Sequence, residues 1–71
     1  MERLQHVSIV FEGVQYEAGY VVESGVVTVI WYNPTDLNRH EASKAASSDP
    51  FNDASELLRE LVVAAKFRGE L

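Results

Sequence analysis

A chain of 71 residues with six Lys+Arg, eleven Asp+Glu and no cysteine has room for one small domain and no disulfide framework. Its formal charge of -5 opposes non-specific contact with nucleic acid or anionic lipid, and two histidines without cysteine exclude a closed Cys/His zinc site. A domain this small buries only about 60% of its unfolded surface, so oligomerisation is the remaining source of extra stability.

The apolar fraction of 46% suits a folded globule rather than a disordered chain. No apolar run approaches the roughly 20 residues of a membrane helix, so no membrane partner is expected. The start "MERLQHV" has no apolar h-region, and with the lack of cysteine this points to a cytoplasmic protein.

Residues 5–11, "QHVSIVF", alternate and are rich in β-branched types, which predicts a first strand. Val7, Ile9 and Phe11 share one side; His6, Ser8 and Val10 share the other. Glu12–Gly13 supplies a hairpin turn, with glycine for the positive φ. Residues 14–23 form the second strand: Val14, Tyr16, Ala18, Tyr20 and Val22 on one face, Gln15, Glu17, Gly19, Val21 and Glu23 on the other. Ser24–Gly25 is a second hairpin signal, and residues 26–32 are the third strand.

Two-residue turns set the register. The first places Phe11 opposite Val14, Ile9 opposite Tyr16 and Val7 opposite Ala18. The second places Val22 opposite Val27, Tyr20 opposite Val29 and Ala18 opposite Trp31. Both turns, read independently, assign one common apolar face. The other face is mixed: Val10, Val21, Val26, Ile30 and Tyr32 lie among polar residues there.

Residues 33–49, "NPTDLNRHEASKAASSD", are polar. Asn33–Pro34 should end the third strand. Two structures compete for the rest of the segment: a short helix capped by Asp36, or "RHEASKA" as a fourth strand near 39–45. The composition favours a mobile connection with some extended pairing. If so, the third strand is an exposed edge able to pair with a symmetry mate.

Residues 50–68 read as a helix, with Asp49 as cap, Pro50 at the first position and Asp53 as an alternative cap. Its stripe is Phe51, Ala54, Leu57, Leu58, Leu61, Val62 and Ala65, at helical spacing. Gly69 is a natural stop. Val63 and Phe67 lie on a flank, one turn apart, and widen the apolar face. The expected fold is therefore α+β: a three-stranded antiparallel meander with the C-terminal helix on one face.

No constellation for catalysis emerges. His40–Glu41 stands in "HEASK", not H-E-x-x-H, and reads as two solvated loop residues. Asp49, Asn52 and Asp53 lack the pattern of a calcium loop and read as helix capping. Ser43, Ser47 and Ser48 near His40 have no nucleophile elbow. His6 reads as a solvated side chain. Tyr16, Tyr20 and Trp31 fall on the face the helix must cover, so they read as core rather than a base-stacking platform. A ligand site lined by Tyr32, His40 and Glu41 ranks lowest. No cofactor or metal is expected.

The β-β-β-α order over residues 5–68 resembles the small DNA-binding domains of the AP2 and integrase arm-binding families. That resemblance implies a sheet laid in the major groove, but Gln15, Glu17 and Glu23 stand where those domains carry Arg and Lys. The stretches "YVVESGVVTV" and "LLRELV" also resemble short bacterial proteins of no known activity. The expectation is a non-enzymatic interaction protein, a homodimer or the partner of another protein. Its interface residues would be Val10, Val21, Val26, Ile30, Tyr32, Val63 and Phe67, since one helix covers only one sheet face.

Overall fold

The computed structural model describes residues 3–71. Both expected turns have the left-handed backbone of type I′ hairpins: Glu12 and Gly13 at φ 51° and 80°, Ser24 and Gly25 at 52° and 75°. They join β1 (Gln5–Phe11), β2 (Val14–Glu23) and β3 (Val26–Tyr32). The pairs Phe11–Val14, Ile9–Tyr16, Val7–Ala18, Val22–Val27 and Tyr20–Val29 all form. The β2–β3 ladder ends at Gly19–Ile30, one position short of the expected Ala18–Trp31 pair. Trp31 pairs instead with His40 on the next strand.

That strand, β4 (Arg39–Ala45), runs antiparallel to β3 from Tyr32–Arg39 to Val26–Ala45. Of the alternatives for this segment, the fourth strand near 39–45 forms, while the Asp36-capped helix and a mobile connection through those residues do not. The driving force lies in β3, whose backbone groups need partners on both sides once its side chains are buried. Asp36 works inside the turn, accepting from the Asn38 backbone N–H at 2.9 Å and its amide at 3.1 Å. The sheet order is β1-β2-β3-β4. β3 is therefore interior, not the exposed edge expected, and the edges are β1 and β4.

α1 (Pro50–Phe67) begins as the sequence predicts. Asp49 accepts from the Asn52 N–H at 3.1 Å, and Pro50 occupies the first turn. It ends in a Schellman motif: the Glu70 N–H reaches the Ala65 carbonyl at 2.9 Å, the Gly69 N–H reaches that of Lys66 at 3.1 Å, and Gly69 is left-handed at φ 74°. Asp53 is not a cap. It is buried and accepts from Ser47, from the backbone N–H at 2.7 Å and from the hydroxyl at 2.9 Å. This clamp, with the Ala46 N–H on the Gly25 carbonyl at 2.8 Å, fixes where α1 leaves the sheet.

The core lies between α1 and one sheet face. Val7, Ile9, Tyr16, Tyr20, Val27, Val29 and Trp31 meet Ala54, Leu57, Leu58, Val62 and Ala65. Tyr16 stands edge-on to Trp31, with centroids 6.3 Å apart at 77°, a favoured aromatic geometry. The aromatic cluster is core, as its face assignment required. Phe51, counted in the helix stripe, is half exposed and touches the core through Tyr20, edge-on at 6.3 Å.

Candidate interaction surface

With α1 on one face, the other face of the sheet has no covering element among the described residues. Pairing fixes which residues it presents: His6 with Gly19, Gly19 with Ile30, Ile30 with Glu41, and Val21 with Thr28, Thr28 with Ser43. Val21 and Ile30 are half-buried by their neighbours, while Val26 and Tyr32 are exposed. Val21, Val26, Ile30 and Tyr32 thus form one patch around Thr28, whose hydroxyl bonds Ser43 Oγ at 2.8 Å. Val10 is 64% exposed but pairs with Gln15, well along β2 from the patch centre.

Leu4 joins this patch and was missed in the sequence. It precedes β1, and its side chain folds over Gly19. A Cβ at Gly19 would fall 2.5 Å from Leu4 Cδ2, so the glycine makes room for the leucine. A glycine inside an otherwise regular strand is the signal that points there. Leu4 remains 58% exposed.

Around the apolar centre lies a polar rim. His6 Nε2 meets Glu17 Oε1 at 2.7 Å, and Arg39 meets Glu41 at 3.1 Å; all four side chains are exposed. His6 is thus exposed as expected, but ion-paired when protonated. On this same face, where the resemblance to DNA-binding domains calls for a basic stripe, Glu17, Glu23 and Glu41 outnumber Arg39.

Val63 and Phe67 lie elsewhere. They belong to the helix layer, on the far side of the sheet from Val21 and Ile30. With Phe11, Glu12 and Lys66 they line an open cleft of about 350 Å³. Phe67 is 90% exposed. Lys66 pairs with Glu12, which holds its ammonium above the ordinary range, and its charge stands 5.7 Å from the Phe11 ring centre. The seven expected interface residues therefore divide between two surfaces.

The residues considered for chemistry are also separated. His40 faces the helix side and stacks at 5.6 Å and 36° on Trp31, while its strand neighbour Glu41 and Tyr32 face the other way. The expected solvated His40 is half-buried, because β4 carries it to the Trp31 pair. No ligand site joins His40 to Glu41 and Tyr32. Ser47 serves Asp53 rather than a nucleophile site: its bonds hold the carboxyl below its ordinary value, aided by Lys44 at 3.8 Å. Among the described residues no three His, Asp or Glu side chains group to hold a metal ion, and no helix is long and apolar enough to cross a membrane. Compared with protein-family models, curated proteins and solved structures, the chain has no significant match.

Proposed function

We propose that this is a non-enzymatic protein-interaction module that acts as a homodimer through the outer sheet face. One observation carries the reading: α1 covers one face, and among the described residues the opposite face presents Leu4, Val21, Val26, Ile30 and Tyr32 inside a rim of paired charges. An apolar centre with a polar rim is the usual anatomy of an interface core. A patch that meets its own copy across a two-fold axis is self-complementary, and two such sheets stack about 10 Å apart. A nucleic-acid partner finds no basic stripe on this face.

Sedimentation velocity across nanomolar to high micromolar concentration tests the reading. The wild-type chain should reach at least twice its 7.9 kDa mass. Ile30→Glu places an unpaired charge at the patch centre and should weaken the face contact by more than about 100-fold, several kcal/mol of uncompensated burial. The variant should keep its circular dichroism, because Ile30 is outside the helix-covered core. A chain of unchanged monomer mass throughout defeats the proposal.

A further inference from the structure

The two sheet edges differ in what guards them. β4 carries Arg39, Glu41 and Lys44, the kind of charge that keeps an edge strand from pairing with another chain. β1 reads QHVSIVF, with no permanently charged residue, no proline and no bulge, and among the described residues nothing pairs along its free side.

Hairpin geometry sets which backbone groups are free. In a two-residue hairpin, the residues flanking the turn form a hydrogen-bonded pair and such pairs then alternate. Phe11, Ile9, Val7 and Gln5 therefore spend their N–H and C=O on β2. His6, Ser8 and Val10 direct theirs outward. The same count through the second hairpin points the N–H groups of His40, Ala42, Lys44 and Ala46 at β3, and the Ala46 N–H indeed meets the Gly25 carbonyl at 2.8 Å. The outward groups of β4 are then those of Arg39, Glu41, Ser43 and Ala45.

We infer that β1 is a second self-association edge, pairing antiparallel with β1 of another copy about a two-fold axis at Ser8. This surface is distinct from the outer face and does not rest on the face contact. The register is self-consistent. Ser8 stands opposite its mate, His6 opposite Val10 in hydrogen-bonded pairs, and Val7 opposite Ile9, which extends the buried face. A two-fold axis perpendicular to the sheet keeps both helices on one side. The alternative of β1 on β4 would be a head-to-tail contact, which closes only as a ring and otherwise grows without end, and it would set β1 against the charges of β4.

Amide hydrogen exchange on the wild-type full chain, read at rising concentration, tests this without any variant. The amides of His6, Ser8 and Val10 should slow by about 15-fold at a total chain concentration 100 times the dissociation constant, where self-association leaves about 7% of the chain free, while those of Arg39, Glu41 and Ser43 stay fast. Ser8→Pro removes only an outward donor and should abolish that protection, with Glu41→Pro as the matched control on β4. The same protection should persist in Ile30→Glu, now in a species of twice 7.9 kDa, so failure of the face contact and of the edge contact are read separately. Outward β1 amides that exchange as fast as those of β4 at every concentration overturn the inference. So does growth of Ile30→Glu, which lacks the face contact, into open polymers in place of a closed dimer.

Discussion

Asn33 is the residue on which the sheet, the turn and the C-terminus converge, and its removal gives the sharpest test of this fold. It is fully buried. Its Oδ1 accepts from the Thr35 N–H at 2.8 Å, and its Nδ2 donates to the Glu70 carbonyl at 3.1 Å. Its own backbone closes the turn, with the N–H on the Asn38 carbonyl at 3.0 Å and the carbonyl taking the Leu37 N–H at 2.7 Å. Asn33→Ala leaves the backbone bonds and deletes both side-chain bonds. At about 0.5–1.5 kcal/mol net for each, the loss is about 1–3 kcal/mol. A chain of this length has a stability of roughly 4–11 kcal/mol at the usual value per residue, so the loss is a large fraction. The midpoint of thermal unfolding should fall by roughly 4–24 °C, at about 4–8 °C per kcal/mol for a domain of this size. Asn33→Asp keeps the acceptor, loses the donor to Glu70 and buries a carboxylate, so it should be less stable than Asn33→Ala at pH 7. Urea and thermal unfolding of the three proteins measure this. A loss below about 0.5 kcal/mol for Asn33→Ala, or Asn33→Asp matching wild type, would show that the C-terminal segment is not held through this side chain.

Leu58 is fully buried against the sheet, so Leu58→Ala should cost about 2–5 kcal/mol from lost transfer energy and the cavity left behind; urea unfolding measures it, and a loss under about 1 kcal/mol would mean that the layer collapses around the gap. The Asp53 carboxyl is held below its ordinary value of 3.8, first by the Ser47 N–H and then by the Ser47 hydroxyl and Lys44. Its contribution is therefore fully present above the unfolded value and is lost as pH falls through the lower folded value. Asp53→Asn should reduce stability more at pH 6 than at pH 2, and denaturation curves that differ equally from wild type at both would refute that sign.

The two hairpins were legible because glycine at Gly13 and Gly25 permits a left-handed backbone that alternation on either side then confirms. Once those turns are set, side-chain parity is fixed, and the whole helix-facing core from Val7 to Trp31 could be written down. The helix start at Asp49–Pro50 and its stop at Gly69 were equally local. His40, Asp53 and Asn33 were not legible, because each looks polar and exposed in sequence: His40 is half-buried only once β4 pairs it with Trp31, Asp53 is buried under the Ser47 clamp where α1 meets the sheet, and Asn33 is buried where the turn meets Glu70, 37 residues away. The second half of 33–49 has too few apolar residues to announce a strand. It is one because β3 has backbone groups to satisfy, and the choice between loop and strand lies in that neighbour rather than in "RHEASKA" itself.

The same division governs the candidate surface. Local pattern alone determined that Val21, Val26, Ile30 and Tyr32 face away from the helix, since strand alternation and two tight turns permit no other arrangement. Only the tertiary structure decided that β4 closes one edge, that Leu4 fills the space above Gly19, and that Val63 and Phe67 belong to a different surface. Those facts depend on which layer each element occupies. Layer is a property of packing between segments far apart in sequence, and no periodicity within a segment encodes it.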